Sequence, residues 1–353
     1  MSDLFEHPWF SGLFGDADAD AIWSPDRSLT HMLAFEAAYS RGLGAVGLVP
    51  PDQAQAAAEW IEEATLDPTV LRAGTVQDGL PIPALVRSLK AEAGYLAGAI
   101  HTGTTSQDVM DTALAMTLRE TSDLLSDRLT RLVDQLEQLK AIHGSNTIMG
   151  RTRMQAALPI TVDHRLETWI TPLTDHLTRL TQIRPRVECV QMGGPVGDSQ
   201  TLGAQNREMA TFLAEFLNLH LPERCWHVTR GVLADYAGLL SLISGSIAKI
   251  GQDISLMAQQ GVDEIKLKGG GGSSAMPHKQ NPILAELLVT LARYNATQLP
   301  GMHHALLHEQ ERSGSAWALE WMILPNMAKT TARSLSAAVT VCTQITSIGE
   351  GRK

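Results

Sequence analysis

Leucines recur every three or four residues over a long stretch near the middle of the chain. They follow Ser106 and stop before Gly144, a residue type that suits the end of a helix. The stripe consists of Leu114, Leu118, Leu125, Leu129, Leu132, Leu136 and Leu139. This pattern predicts a helix of roughly 35–38 residues, about 55 Å long.

A second apolar stripe repeats every 3.5 residues on average, the spacing of a coiled-coil-like seam. It consists of Tyr236, Leu240, Ile243, Ile247, Ile250, Ile254 and Met257. Other helical patterns follow Pro159, span Leu202 to Leu219, follow Pro282 and run from about Ser315 toward Thr346. Strand signals are nearly absent, because Val and Ile do not alternate with polar residues.

These patterns predict an all-α fold, an elongated bundle of long helices. The prolines that break up the first part of the chain indicate a small N-terminal helical domain over residues 1–95. The central long-helix bundle is expected over residues 96–345, and residues 346–353 form a short tail. Helices with seam-like faces need other helices to bury them, and further subunits can supply these, so we expect an oligomer.

Composition agrees with a soluble globular protein, since 44% of the 353 residues are hydrophobic and 19% are charged. The net charge of −10 argues against nucleic acid as a partner. No signal peptide or membrane span is evident from the sequence. Cys189, Cys225 and Cys342 are far apart and in no metal-binding spacing, which favours reduced thiols in the cytoplasm.

A loop rich in glycine and polar residues separates two of the apolar segments, over residues 269–282. Ser273, Lys279 and Asn281 lie close enough in sequence to surround a small anion. A solvated linker is the simpler interpretation of such a composition. A phosphate-binding loop is excluded, because no Ser or Thr follows Lys279 and no strand precedes the glycines.

A run of hydroxyl and amide side chains precedes the long helix, from His101 through Thr105, Ser106 and Gln107 to Asp108. Ser106 and Asp108 could simply cap the helix. The run is richer in polar groups than capping requires, and a helix N-terminus with hydroxyls suits a carboxylate.

Two arginines, Arg151 and Arg153, flank Thr152 just before Pro159, and together they indicate an anion pocket or a basic surface pair. Arg312 is a further candidate for binding an anion. His304 and His308 are four residues apart, but two ligands without a clear third make a weak metal site. The glycines at Gly193 and Gly194 indicate a turn that could bring backbone near a ligand.

The stretch from Gly272 to Pro282, GSSAMPHKQNP, resembles the signature loop of the fumarase/aspartase superfamily. The segments around Thr105–Gln107 and Arg151–Arg153 resemble those of the same superfamily, in the same order. The resemblance implies an almost all-helical homotetramer whose active sites combine segments from three subunits. It implies catalysis without a metal or an organic cofactor, on a small carboxylate substrate.

The resemblance also implies roles for several of the candidate residues. Ser273 would handle the proton on carbon, and Lys279 would stabilise the carbanion-like state with the help of Asn281. Thr105, Ser106, Gln107 and Arg312 would bind substrate carboxylates. From the residue types alone, we add His101, Arg151, Thr152 and Arg153 as further candidates for substrate binding.

One position departs from the superfamily pattern, because Arg153 stands where the lyases have a histidine that protonates the leaving group. Arginine stays protonated and cannot supply a proton near neutral pH. A carboxylate leaving group needs no proton. The departure therefore favours the cycloisomerase branch, which closes 3-carboxy-cis,cis-muconate, a tricarboxylate, to a lactone in aromatic catabolism.

Two alternatives remain, an adenylosuccinate- or argininosuccinate-type lyase and a non-catalytic helical protein. The missing histidine argues against the first, and the retained Ser273, Lys279 and Asn281 argue against the second. Typical members of the superfamily also continue into a further small helical domain. Here the chain ends soon after the sixth helix, so we expect that domain to be reduced or missing.

Overall fold

The computed structural model describes residues 4–5, 7–269, 271–272, 276 and 280–351. Within them the first third of the chain forms several short helices and one longer helix. These elements are α1 (Ser11–Phe14), α2 (Ala17–Ile22), α3 (Pro25–Ala45), α4 (Pro51–Glu62), α5 (Pro68–Asp78) and α6 (Ile82–Ala91), followed by a 3-10 turn at Gly94–Ala99.

The rest of the described chain is a bundle of long helices with two small antiparallel strand pairs. Its elements are α7 (Ser106–His143), β1 (Thr147–Thr152), β2 (Gln155–Thr161), α8 (Val162–Val187), α9 (Asn206–Phe216), α10 (Gly231–Met257), β3 (Ile265–Leu267), α11 (Ile283–His304), α12 (Ser315–Gln344) and β4 (Ile345–Ile348). This confirms the all-α fold class and the position of each long helix.

Helix α7 has 38 residues, as its leucine stripe predicts. Thr105 is its N-cap, and the backbone N–H of Thr105 donates to Oδ2 of Asp108 at 3.2 Å, which is half of a capping box. The helix ends at His143, one residue before Gly144. From Leu118 onward the leucines of the stripe are buried in the bundle core, whereas Leu114 is partly buried against it.

The seven seam residues of α10, from Tyr236 to Met257, are all buried, and α10 packs on α8, α11 and α12. By length and composition alone α10 would also be apolar enough to cross a membrane, the one such helix in the part of the chain that the structure describes. The sequence contains no uninterrupted apolar run of about 20 residues, because Asp235, Lys249 and Asp253 interrupt this helix. The apolar seam faces the bundle core, where it is matched by other helices.

The β1–β2 hairpin was not predicted, because its strands carry no alternation of apolar and polar residues and most of β2 is exposed. Thr152 pairs with Gln155, so Arg153 and Met154 form a two-residue turn. Both have positive φ, 50° and 66°, as a tight hairpin turn requires. Such turns usually contain Asn and Gly. Because neither residue is present here, the sequence does not indicate a hairpin turn.

The base of this hairpin is joined to the C-terminal end of the described chain. Thr147 and Glu350 exchange backbone hydrogen bonds of 3.0 Å, and Asn146 donates to the carbonyl of Ile348. Strand β3 pairs with β4 beside it. These contacts hold the hairpin at the C-terminal end of α7, and β3 leads from there into the glycine-rich loop.

Three apolar clusters fill the interior. The largest lies in the helix bundle, and another lies within the N-terminal helices. The remaining cluster joins Phe35 and Leu43 of α3 to Val109 of α7 and Leu213 of α9, so it crosses the predicted boundary at residue 95. The division into domains stays a prediction.

Candidate active site

The predicted site residues fall into two groups at opposite ends of α7. We call His101, Thr105, Ser106, Gln107 and Arg312 the cap group, because they surround the N-terminus of α7. We call Arg151, Thr152 and Arg153 the hairpin group. Ser273 and Lys279 lie outside the described residues.

Asp108 organises the cap group. Its buried carboxylate accepts from the backbone N–H of Gly193 at 2.7 Å and of Gly194 at 3.0 Å. It also accepts from the Thr104 hydroxyl at 3.1 Å and lies 2.9 Å from Nε2 of His227. The predicted turn at Gly193 and Gly194 therefore holds Asp108 and, through it, the loop that carries Thr105.

Only glycine fits at this turn. Gly194 has a φ of +71°, and a Cβ on Gly193 would lie 2.3 Å from Sγ of Cys225. The close approach of the backbone is what brings two amides onto one carboxylate.

Gln107 is fully buried and both ends of its amide are engaged. Its Nε2 donates to the His227 carbonyl at 2.9 Å, and its Oε1 accepts from Nε of Arg312 at 3.0 Å. Nη2 of Arg312 donates to the carbonyl of Pro195. Buried Gln107 therefore holds Arg312 in place, while the Arg312 side chain itself is exposed to solvent.

His101 and Ser106 have polar atoms left over within the described structure. Nδ1 of His101 lies 2.5 Å from Oε1 of buried Glu36, and this contact fixes the ring of a residue whose φ is 51°. The Ser106 hydroxyl, partly buried at the first position of α7, makes no hydrogen bond to another described residue. The Ser106 hydroxyl can therefore offer a donor to a bound anion.

The hairpin group lines a cavity of about 760 Å³ between the hairpin, the start of α8 and the end of α10. Arg151 is paired with Glu264 at 2.6 Å, and Lys249 is paired with Asp253. Arg153 is exposed and has no hydrogen bond or ion pair with any described residue. The cavity thus keeps uncompensated positive charge, which suits a carboxylate.

Asn281 lies at the same end of the bundle as the hairpin group. Its backbone exchanges two 2.9 Å hydrogen bonds with Gly271, which closes the base of the glycine-rich loop. Helix α11 begins two residues later and packs antiparallel on α10, near Gly251. In the sequence, Ser273 and Lys279 both lie between Gly271 and Asn281.

The two groups cannot form one site within a single chain. Thr105 stands at the start of α7 and the hairpin follows its end, so about 57 Å of helix separates them. The hairpin extends over six-residue β1, too short to fold back over that distance.

A buried charge cluster next to the cap group was missed from the sequence. Arg230 donates to both oxygens of Asp111, at 2.7 and 3.0 Å, and to both of Glu320, at 2.9 and 2.6 Å. Burial opposes ionisation of Glu320, but hydrogen bonds from His308 and Arg230 hold its pKa below the usual value. The signal in the sequence was Asp111, one turn after Asp108 on the same face of α7.

His304 and His308 do not come together as metal ligands. Nε2 of His308 lies 3.4 Å from Oε1 of Glu320, whereas His304 lines a separate shallow pocket with Pro300. Among the described residues no group of three or more His, Cys, Asp or Glu side chains could hold a metal ion.

Comparison with known proteins identifies the class. The family model described as lyase matches residues 19–296, and the chain belongs to this family, within the fumarase/aspartase superfamily.

Individual relatives are more specific. The chain is 36% identical over 351 residues to the 3-carboxy-cis,cis-muconate cycloisomerase of Pseudomonas aeruginosa, covering 96% of this chain and 75% of that protein. It is 30% identical to the N-acetyl-S-(2-succino)cysteine lyase of Enterococcus italicus, covering 89% of this chain and 70% of that protein. The crystal structure of the 3-carboxy-cis,cis-muconate lactonizing enzyme from Pseudomonas putida superposes with a TM-score of 0.90 at 34% identity, covering 96% of this chain and 77% of that one.

Proposed function

We propose that this protein is a 3-carboxy-cis,cis-muconate cycloisomerase. One carboxylate of the substrate adds to a double bond to form a C–O bond, and the electron pair moves to the carbon next to another carboxylate. That carbon then takes a proton, which gives 4-carboxymuconolactone. The observation that carries the proposal is Arg153. It lines a positively charged cavity, has no ion pair with any described residue, and stands where lyases of the superfamily have a proton-donating histidine.

Arg153 suits this reaction because it binds a carboxylate without exchanging a proton. The group that enters or leaves in lactonisation is a carboxylate, stable as an anion. A fixed positive charge can hold that carboxylate by two hydrogen bonds and orient it toward the double bond.

The proton on carbon needs a separate group, and we assign it to Ser273. Lys279 and Asn281, six and eight residues further along the sequence of the same loop, stabilise the negative charge that develops on the neighbouring carboxylate. The cap group binds the remaining carboxylates through the Ser106 hydroxyl, the exposed guanidinium of Arg312 and the free side of His101. Gln107 positions Arg312.

The active site is proposed to be shared between subunits of a homotetramer. The separation of the cap and hairpin groups by the length of α7 supports this, because only different chains can bring them together. We also place the protein in the cytoplasm, in protocatechuate catabolism. The three cysteines are free, which fits a reducing compartment.

The central experiment mixes the protein with 3-carboxy-cis,cis-muconate and follows the loss of its conjugated-diene absorbance. We expect turnover by the native protein and none by Ser273→Ala, with the oligomeric state unchanged in light scattering. Full activity of Ser273→Ala would remove Ser273 from the mechanism. Absence of turnover in the native protein would reject the cycloisomerase.

Shared sites are tested by mixing two variants whose activity is each strongly reduced. Ser106→Ala and Arg153→Ala would be denatured together and refolded, so that mixed oligomers form. If the two residues come from different subunits, some sites regain both native residues and activity returns. No recovery from mixed oligomers, confirmed by mass, would place both residues of a site in one chain.

A second function is favoured by the similarity to the N-acetyl-S-(2-succino)cysteine lyase. A thiolate leaves as an anion more readily than an amine does, so Arg153 argues less strongly against C–S elimination. Release of fumarate from N-acetyl-S-(2-succino)cysteine, with no consumption of the muconate, would favour that lyase. Release of fumarate from adenylosuccinate or argininosuccinate would restore the amine lyase instead.

A further inference from the structure

Cys225 lies beside a buried histidine that is already paired on its other side. Nε2 of His227 is 2.9 Å from Oδ1 of Asp108, and the His227 side chain is only 1% exposed. Nδ1 of His227 is also buried and has no hydrogen-bond partner among the described residues. An unpartnered ring nitrogen at this depth needs an explanation.

Both Nδ1 of His227 and Sγ of Cys225 face the same small gap beside two glycines. A Cβ on Gly197 would lie 3.1 Å from that nitrogen and 3.4 Å from that sulfur. A Cβ on Gly193 would meet the same sulfur and the same ring. The order of groups is thus thiol, imidazole and carboxylate, from Cys225 to Asp108.

The thiol can also be reached from outside. Cys225 is partly exposed and lines a cavity of about 220 Å³ with Ser199, Asn206, Arg207 and Arg224. The other two thiols differ, because Cys189 and Cys342 are buried, and burial raises their pKa to about 11 and about 12.

We propose that Cys225 is a modification site for small carbon electrophiles such as haloacetamides, activated by His227 and Asp108. The neutral imidazole of His227 takes the thiol proton, and the imidazolium that this forms stabilises the thiolate, as in other Cys–His pairs. With iodoacetamide the thiolate sulfur attacks the CH₂ carbon. A C–S bond forms, the C–I bond breaks and iodide leaves with its electron pair.

The charge of His227 supports this arrangement. Burial lowers its pKa, but the hydrogen bond to Asp108 and the contact with Cys225 outweigh burial and raise the pKa to about 9. The ring is therefore protonated at neutral pH, which is the state that stabilises a thiolate.

Alkylation of Cys225 is expected to disturb the cap group of the proposed active site and so to lower activity. The same Asp108 that pairs with His227 holds the Gly193–Gly194 turn and the backbone of Thr105, and the carbonyl of His227 accepts from Gln107. A group added beside Gly193 must displace atoms that are already in close contact. This consequence rests on the proposed function, whereas the reactivity of the thiol does not.

Reactivity is tested by treating the intact protein with iodoacetamide and mapping the label by peptide mass. We expect Cys225 to react at least tenfold faster than Cys189 and Cys342. Its rate should change less than threefold between pH 7.5 and 6, where a free thiol such as N-acetylcysteine loses about tenfold per unit. An unlabelled Cys225, or one with the pH profile of the free thiol, would overturn the proposal.

His227→Gln should convert Cys225 to the pH profile of a free thiol. If that variant does not fold, the pH profile of the native protein alone tests whether His227 activates Cys225.

A second experiment tests whether alkylation of Cys225 affects the proposed active site. Fully alkylated native protein should lose at least tenfold in turnover of the muconate, whereas Cys225→Ala treated in the same way keeps its rate. Unchanged turnover after complete labelling would reject the coupling. If the unlabelled native protein does not turn over the muconate, the proposed function fails, but the measured reactivity of Cys225 still stands.

Discussion

Arg312 lies against Gln107, with the guanidinium Nε donating a 3.0 Å hydrogen bond to the buried amide oxygen. The two residues are 205 positions apart in sequence. Since the Gln107 amide is held in turn by the carbonyl of His227, the guanidinium is fixed at one end and free at the exposed end. This arrangement agrees with the proposed role of Arg312 in binding a substrate carboxylate.

We expect Arg312→Lys to raise the KM for the muconate at least tenfold. Lysine has a single charged nitrogen, so it cannot contact Gln107 and Pro195 and also present a flat pair of donors to a carboxylate. Because Arg312 is exposed, the melting temperature should change little. Steady-state kinetics and thermal unfolding check this, and an unchanged KM would show that Arg312 does not bind substrate.

Arg153→Ala should lower kcat/KM for the muconate by roughly 10- to 100-fold, the effect of losing about 1.5–3 kcal/mol of charge-assisted hydrogen bonding. Folding stability should not change, because Arg153 makes no bond to a described residue. Arg186→Ala is the matched control, since among the described residues that exposed arginine forms an ion pair with exposed Asp235 alone. Equal losses in both variants would mean that general surface charge, and not position 153, matters.

Most of the fold could be predicted from the sequence because each long helix carries its own apolar period. The leucine stripe of α7 and the seam of α10 specify both length and buried face without reference to distant residues. The β1–β2 hairpin could not be predicted in this way. It is exposed, it has no alternating pattern, and its turn at Arg153 and Met154 lacks the residues that usually mark one.

The candidate site was predictable as residue types but not as an arrangement. Ser106 and Arg153 both appear in recognisable polar segments, and the leucine stripe already predicts the helix that separates them, but the hairpin that carries Arg153 appears only in the fold. The residues that position the cap group contact each other across long sequence separations, as Asp108 and His227 do. Such contacts leave no local pattern in the chain.

Arg230→Met should destabilise the protein by about 3–5 kcal/mol. The substitution leaves the carboxylates of Asp111 and Glu320 buried, close together and without their shared cation. The exposed pair gives the matched control, and Arg186→Met should cost less than about 1 kcal/mol. Urea unfolding at pH 7 measures both. A cost for Arg230→Met as small as that of the control would contradict the role assigned to the buried cluster.

The stability of the protein should fall as pH rises from about 6.5 to 9, because of His227. Its folded pKa of about 9 lies above the value of an unfolded histidine, about 6.5. The stabilisation is therefore complete below pH 6.5 and is lost as the pH passes through 9, by at most about 3 kcal/mol. Urea unfolding at pH 6.5 and 9 measures this loss.

His227→Gln provides the control for this loss, since glutamine can still donate to Asp108 but does not titrate. The variant should be less stable than the native protein at pH 6.5, and its own stability should change much less between the two pH values. Cys225→Ala should keep most of the native slope, because Asp108 supplies the stronger partner. A native slope retained in full by His227→Gln would assign the pH dependence to other groups and would leave the imidazolium between Cys225 and Asp108 without support.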